Sequence, residues 1–424
     1  MRPLRNFEPR TDRAVSDTRA IIRQCVHCGF CNATCPTYLL LGDELDSPRG
    51  RIVLIKDMLA TGAPPAASTV KHIDRCLSCL SCTTTCPSGV DYHHLIDRAR
   101  DHIEANYRRP PGERLVRWLV ATVLPRRALF RAPARLAWLA RPFAGLLPPP
   151  IAAMIAAAPA RLPPPGIAER GGVHPALCPR IARVALLSGC VQPALAPSID
   201  DAAIRLLTRH GIEVVVARAG CCGALARHMG HADAARADAR ANIAAWETEV
   251  ARGLDAIVVT TSGCGTAIKD YGQLFSDDAE WGARAARIAA LARDITEVMA
   301  GVVLRPPVIA PGTVVAYHSA CSLQHGQKVS SPPRALLAAV GFVVHEIGEG
   351  HICCGSAGTY SLLQPELSRA LRDRKLGHIA RTGARVVATG NIGCINQLQS
   401  DGVTMVHTVE LLDWATGGPR PAGV

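Results

Sequence analysis

Eight cysteines near the N-terminus fall into two runs of one pattern. The first is Cys25-Val-His-Cys28-Gly-Phe-Cys31-Asn-Ala-Thr-Cys35-Pro36, and the second is Cys76-Leu-Ser-Cys79-Leu-Ser-Cys82-Thr-Thr-Thr-Cys86-Pro87. Each reads C-x2-C-x2-C-x3-C-P, the spacing with which bacterial proteins hold two [4Fe–4S] clusters. Three thiolates on a tight loop can wrap three corners of an iron–sulfur cube, and the fourth, opening the next segment, reaches the other cube. Cys25, Cys28, Cys31 and Cys86 are thus assigned to one cluster, and Cys76, Cys79, Cys82 and Cys35 to the other. Pro36 and Pro87 have no N–H to orphan where the chain leaves the cluster. Gly29, Ala33, Ser78 and Ser81 are small enough to pack against sulfide. The chemistry is movement of electrons one at a time.

Two other readings compete. Structural zinc also favours Cys-x2-Cys pairs, but uses four ligands in two pairs rather than eight in two runs of four. A disulfide framework suits short secreted chains. This chain has 424 residues, and Met1 to Arg19 is charged and lacks the apolar stretch of a secretory signal.

A second cysteine set lies in the C-terminal half, where the sequence repeats. Val184–Leu187 leads to Cys190, Val214–Ala217 to Cys221-Cys222-Gly223, and Ile257–Thr260 to Ser262-Gly263-Cys264. Val314–Tyr317 then leads to Cys321, Val343–Ile347 to Cys353-Cys354-Gly355, and Val386–Thr389 to Gly393-Cys394. Corresponding cysteines are offset by nearly the same distance, which marks a duplication. Each repeat alternates short β-branched runs with helical stretches such as Ser198 to His210 and Pro333 to Val340, both ending at glycine. That alternation predicts small parallel α/β sheets. The cysteines fall just past strand ends, where open α/β sheets bind ligands.

Three readings of Cys190, Cys221, Cys222, Cys264, Cys321, Cys353, Cys354 and Cys394 stay open: a further metal or iron–sulfur site, a redox-active thiol site, or buried small hydrophobes. Gly223 and Gly355 either leave room for a bulky cofactor or permit positive φ. His318 and His325 are candidates for ligands or acid/base groups, against the plainer role of hydrogen-bonded histidines. Cys178 is given no role.

These motifs need elements to position them. The expected fold class is α plus α/β: a helical two-cluster ferredoxin-like domain, a helical connector, and two repeated small parallel α/β Cys-Cys-Gly units. The expected boundaries are 1–107 for the two-cluster domain, 108–180 for the proline-rich connector, 181–305 for the first repeat and 306–424 for the second. Asp46 to Leu59 and Tyr92 to Tyr107 read as helices of the first domain. In the connector, Arg114 to Leu124 and Ala134 to Leu147 read as short apolar helices between proline clusters. Their faces, with Trp118 and Trp138, suit either a partner or membrane surface or packing on the protein's own domains.

The composition bounds the rest. Hydrophobic residues make up 48% and aromatics only 4%, so aliphatic side chains and alanine must fill the cores. The formal charge is +12. Two oxidised clusters at about −2 each bring the holoprotein to roughly +8. The excess is arginine spread through Ala/Arg-rich helices, with no basic run interleaved with aromatics, so nucleic acid is not an expected partner. Weak attraction to an anionic membrane surface is compatible with this charge. No stretch is apolar enough for a transmembrane helix. The expected location is the cytoplasm, with peripheral contact at the cytoplasmic face of the inner membrane as an extension of that reading. No G-x-G-x-x-G follows a strand, so no dinucleotide site is visible. A chain with clusters and no two-electron cofactor needs a partner that takes a hydride and releases single electrons.

The full set of motifs resembles the iron–sulfur subunits of bacterial glycolate oxidase (glycolate dehydrogenase). The likeness rests on the two cluster runs, Gly42-Asp-Glu-Leu-Asp46, Pro48-Arg-Gly-Arg51, Cys86-Pro-Ser-Gly89, Ala219-Gly-Cys-Cys-Gly223, Ser262-Gly-Cys264, Cys353-Cys-Gly-Ser-Ala-Gly-Thr-Tyr360 and Asn391-Ile-Gly-Cys394. It implies an oxidoreductase subunit with two [4Fe–4S] clusters, in a complex whose FAD sits on partner subunits only. Glycolate would be oxidised to glyoxylate there, and this chain would relay electrons toward quinone or another membrane acceptor without binding the organic substrate. Lactate and glycerol-3-phosphate dehydrogenase systems share the layout, and so does heterodisulfide reductase, a thiol/disulfide enzyme. Many members of the wider group end each Cys-Cys-Gly unit in Cys-x-x-Cys. Here Ala267 and Gln397 stand where the extra thiol would be, which counts against a heterodisulfide-reductase kind of cluster.

Overall fold

The computed structural model describes residues 12–61, 63–127, 129–131, 138–147, 151–152, 154–155 and 162–424. The chain divides into two compact units, Met1–Arg108 and Arg109–Val424.

The N-terminal unit is helical. Helices Asp12–Gln24, Pro48–Thr61, Ala67–Asp74 and Tyr92–Asn106 surround a core of Ile52, Ile55, Ile73, Leu95, Ile96 and Ile103. Pro48 stands at the first position of its helix, where no N–H is needed. Asp91 caps the last helix by accepting from His94 N–H. Cys76 and Cys82 belong to the same core, so the cysteine loops lie against the helical packing.

The C-terminal unit carries two sheets. The first contains β1 (Gly172–His174), β2 (Ala182–Leu186), β3 (Ile212–Val216), β4 (Ala256–Val259) and β5 (Ala292–Asp294), in the order β1-β3-β2-β4-β5. The second contains β6 (Val314–Tyr317), β7 (Val343–Glu346), β8 (Val386–Thr389) and β9 (Thr404–His407), in the order β7-β6-β8-β9. All pairings are parallel except β1 with β3. With β1 set aside, the two orders are the same path through space, so the sequence duplication is also a duplication of topology.

The central strands β2, β3, β4, β6 and β8 are largely buried on both faces, as parallel sheets require. Val184 and Leu186 of β2 join Val315 and Tyr317 of β6 in a core shared by the repeats and filled by helices Pro197–Arg209 and Thr408–Ala415. The alternate residues Ala185 and Leu187 face an outer core with Trp246, and Ala316 faces another with Ile379. Arg205 and Arg209 both reach Asp413, at 2.8 and 2.9 Å, and tie the two helices together.

The sequence-based strands and helices agree with these elements, and the fold class is as expected. Three strands were not anticipated. β5 and β9 are the fourth strands of the repeats, and β1 lies in the stretch read as connector. In that stretch, helix Pro111–Val123 buries Val116 and Val120 against Met229 and Leu362 of its own unit, while Trp118 remains exposed. Arg117 donates to Met229 O at 3.1 Å. The side chain of Trp138 and residues 134–137 of the expected second helix lie outside the described residues.

Candidate functional site

The cysteine runs of the N-terminal unit line two cavities. Cys25, Cys28, Cys31, Cys82 and Cys86 surround one. Cys35, Cys76, Cys79 and Cys82 surround the other. The first three cysteines of each run stay together, and the fourth crosses to the other cavity. Cys82 borders both.

The loops that present these thiols share an unusual backbone. His27 and Gly29 flank Cys28 with positive φ (53° and 86°), and Ser78 and Leu80 flank Cys79 in the same way (51° and 63°). Three of these four are not glycine, so the left-handed conformation carries a conformational cost. Positive φ on both sides of a residue is the kind of alternation from which anion-holding backbone concavities are built. Burial pushes the Cys31 thiol up to about 11 and raises that of Cys82 well above its usual value. Thiols of this kind ionise when a metal cation takes the proton's place.

The cavities differ in exposure. Cys28 is exposed and Cys25 partly so, with Val26 and Phe30 exposed beside them. Cys35, Cys76, Cys79 and Cys82 are all buried. Behind the second cavity lies the buried guanidinium of Arg51. Its Nη1 is 3.8 Å from Cys35 Sγ, its Nη2 donates to Thr37 Oγ1 at 3.0 Å, and its Nε donates to His72 O at 2.7 Å. Thr37 Oγ1 lies 3.3 Å from Cys35 Sγ, and the Tyr92 hydroxyl lies 3.8 Å from Cys76 Sγ. Asp46 accepts from Arg51 and Arg75 at 3.3 and 2.7 Å. Burial works against the Arg51 charge, but the acidic groups around it, Asp46 and the thiolates of Cys76 and Cys35 among them, outweigh it and hold the guanidinium protonated. Hydrogen bonds and positive charge directed at ligand sulfur suit a cluster that carries negative charge. Eight thiols in two sets of four around two cavities, with donors near the ligand sulfurs of the second, fit two cubanes.

In the C-terminal unit the repeat cysteines gather at the carboxyl ends of the strands. In the first repeat, Cys190, Cys221 and Cys222 are buried and Cys264 partly so. Hydrogen bonds from the Cys190 and Cys222 thiols, with Gly223 N–H 3.4 Å away, favour the thiolate of Cys221. Asn242 Nδ2 donates to Cys221 O at 2.8 Å, and the Tyr271 hydroxyl donates to Cys222 O at 3.0 Å. In the second repeat, Cys321 Sγ lies 3.7 Å from Cys353 Sγ, and Cys354 Sγ lies 3.7 Å from Cys394 Sγ. Asn391 Nδ2 donates to Cys394 Sγ at 3.6 Å. His318 is fully enclosed beside Cys354 and Cys394. Burial, then the nearby Lys375, pushes its imidazole down to about 3, so the ring is neutral.

The glycines after the vicinal cysteines adopt positive φ, 83° at Gly223 and 89° at Gly355. A Cβ there would lie 2.9 Å from Ala235 O or 2.6 Å from Ser368 O. Each glycine therefore lets a following helix pack against the cysteine turn. The space beside it belongs to the protein. His325 Nε2 lies 3.1 Å from His351 O, a backbone bond. Cys178 is exposed, 3.7 Å from Arg209 O. Sequence reasoning did not single out Thr37, Tyr92 or Lys375, and it quoted Arg51 and Asn391 only within motifs. Nothing in local spacing marks a residue that acts from the far side of a ligand.

This architecture defines an iron–sulfur protein of the dicluster class with a duplicated cysteine-rich module. Residues 21–90 match the 4Fe-4S dicluster domain, and residues 184–269 and 315–399 each match the Cysteine-rich domain. The chain belongs to the family of glycolate oxidase iron–sulfur subunits. It is 42% identical over 411 residues to the glycolate oxidase iron-sulfur subunit of Escherichia coli (strain K12), covering 96% of this chain and 97% of that protein. It is 32% identical to the probable glycolate oxidase iron-sulfur subunit of Bacillus subtilis (strain 168), covering 93% and 94%. Lactate utilization protein A of an Exiguobacterium species is 29% identical, but spans only 54% of this chain while being covered over 96% of its own length. Among solved structures, a hypothetical protein from Helicobacter pylori superposes with a TM-score of 0.54 at 10% identity, covering 97% of this chain and 74% of that one, a likeness of fold alone. Membership carries an iron–sulfur electron-transfer role within an oxidoreductase. Among the described residues no helix is long and apolar enough to cross a membrane.

Proposed function

We propose that this chain is the electron-relay subunit of a flavin-dependent glycolate dehydrogenase. Cys25, Cys28, Cys31 and Cys86 would hold one [4Fe–4S] cluster, and Cys76, Cys79, Cys82 and Cys35 the other. The clusters would accept and release single electrons. The protein's part is to fix their separation, exclude water from one of them and set their charge environment. The observation that carries the reading is Cys82, which borders both cavities and so brings the two sites next to each other. The exposed rim of the first cavity, at Cys28, suits exchange with a partner. Arg51 and Tyr92 would stabilise the electron-rich thiolates of the second.

FAD would reside on partner subunits, where glycolate becomes glyoxylate, and the electrons would leave toward quinone or another membrane acceptor at the cytoplasmic face. The repeat cysteines are proposed as a further metal-binding set with no step in the relay assigned to them. The identity to glycolate oxidase subunits over nearly the whole chain favours glycolate over lactate, since the lactate utilization relatives span about half of it.

The test is anaerobic purification of the tagged chain from its own host, followed by glycolate addition and visible spectroscopy. Bleaching of cluster absorbance, with flavin subunits co-purified, is expected. Bleaching by lactate or glycerol-3-phosphate but not glycolate would move the substrate and keep the relay. No response to any of the three would overturn both.

A further inference from the structure

The two repeats share a topology but not a cysteine environment. The position that corresponds to His318, three residues before the first cysteine of the repeat, is Leu187 in the first repeat. Leu187 packs into an apolar core. His318 is 2% exposed, and neither of its ring nitrogens has a hydrogen-bond partner. A buried imidazole left unpaired costs free energy on the order of 1–3 kcal/mol, so such a ring calls for a ligand. A nitrogen of His318 and the sulfurs of Cys354 and Cys394 lie within 4.8 Å of one another.

We propose that the second repeat binds one thiophilic metal ion, of the zinc type, through His318, Cys354 and Cys394, with the fourth position filled from the Cys321–Cys353 pair. Three observations carry this. First, two sulfurs each about 2.3 Å from a tetrahedral ion stand about 3.8 Å apart. The Cys354–Cys394 separation is 3.7 Å. Cubane thiolates sit on different irons and stand much further apart. Second, a neutral nitrogen with three thiolates and a divalent cation leaves a net charge of −1. The ammonium of Lys375, itself 2% exposed and donating to Glu349 O at 2.6 Å, lies near enough to Cys354, Cys353 and Cys394 to interact with their charge and offset it. Third, Asn391 donates to Cys394 Sγ while its Oδ1 accepts from Gly393 N–H at 3.3 Å, which holds the ligand in place as outer-shell partners of metal sites do. The first repeat lacks the nitrogen donor and carries Asp238 near Cys221 instead. The repeats have therefore diverged in what they can hold.

This deepens the reading of the repeat cysteines as a metal set, and its test is independent of the relay. The anaerobically purified full-length holoprotein is analysed for zinc, iron and sulfide, and for its zinc X-ray absorption edge. About one zinc per chain is expected, in a shell mixing nitrogen and sulfur. His318→Leu, which copies the first repeat, should lower zinc retention against a chelator at least tenfold while iron, sulfide and cluster spectra stay unchanged. The wild-type shell needs no variant, so the test survives if His318→Leu folds poorly. Absence of zinc from freshly purified protein overturns the proposal. So does an all-sulfur shell indifferent to His318→Leu, or loss of iron and sulfide in that variant. Loss of the visible cluster spectrum in the wild type would instead overturn the relay reading, whatever the zinc content.

Discussion

The molecule gathers cysteines in two different ways. In the N-terminal unit eight thiols come from two short loops, and local backbone geometry does the work: His27, Gly29, Ser78 and Leu80 turn each loop around its cavity. In the C-terminal unit eight thiols come from six places spread over about half the chain. Only the strand order β3-β2-β4, repeated as β7-β6-β8, brings them together at the carboxyl ends. The first arrangement is robust to changes elsewhere in the fold but sensitive to each ligand. The second depends on the packing of helices behind the strands.

The sharpest test of that contrast is Cys79→Ser. It removes one of four thiols from the buried cavity, and the iron content should fall by about half as one cubane is lost. Reduction of an external acceptor should vanish, while substrate still reduces the flavin of the partner. Retention of full iron would show that the second cavity does not depend on its loop cysteines in this way.

Arg51→Met should come next in size. It leaves Asp46 short of a buried cationic partner and strips a donor from Cys35, and truncating one side of a buried ion pair costs about 3–5 kcal/mol. Thermal melting of the anaerobic holoprotein reads the loss. In an electron paramagnetic resonance titration, one cluster signal should move to lower potential and the other should stay, because only the second cavity faces this charge.

Gly355→Ala and Gly223→Ala probe the topological arrangement. Both replace a residue at positive φ and push a methyl group into the backbone of the following helix. The expected losses are about 1–3 kcal/mol, larger at Gly355, where the intruding Cβ would meet Ser368 O at 2.6 Å rather than Ala235 O at 2.9 Å. Equal melting temperatures for the two variants would mean that the repeats tolerate crowding alike.

The smallest effect concerns pH. Asp200, on helix Pro197–Arg209 of the first repeat, accepts from Gln192 and Thr260, and burial pushes its carboxyl up to about 7. Its folded value lies above its unfolded one, so the unfolded chain releases the proton first. Stability is therefore full below about pH 4 for this group and declines as pH rises toward 7. Ser331 and Pro332 stand near the corresponding place in the second repeat, so the effect belongs to one repeat. The melting temperature of Asp200→Asn should vary less with pH across that window than the wild type, by about 2–6 °C. A parallel pH profile for the two proteins would refute the assignment.

Much of this was legible in the sequence because two signals are strong. The cysteine runs carry their ligand spacing within twelve residues each, and the duplicated offsets reveal which cysteines correspond. The strands were found because their β-branched runs lead directly into cysteines. β1, β5 and β9 escaped because none of them leads into a cysteine, and Gly172–His174 and Ala292–Asp294 are only three residues long. The surroundings of the thiols escaped for another reason. Arg51 and Tyr92 reach the second cavity from separate helices, and Lys375 reaches its thiols from a helix distant in sequence. Their side chains act across the fold, where no spacing records them. The Cys-Cys-Gly glycines were read as leaving room for a cofactor or permitting positive φ. The structure supports the second and gives the room to the helix behind.

The strand β1 has a consequence for how each repeat would fare alone. It covers the outer edge of β3 with a short antiparallel ladder, so the border of that sheet is a strand of three residues, too short to be a good template for another chain. In the second sheet β7 stands last in the order, and among the described residues no strand covers its outer side. Half-exposed Val343 begins it, and exposed Glu346, paired with Arg334, ends it. A charged residue at such a border discourages strand addition without preventing it. Cut from the rest of the chain, the first repeat would keep its hem sewn as long as Gly172–His174 travelled with it. The second would carry a raw selvedge and rely on one glutamate to stay single.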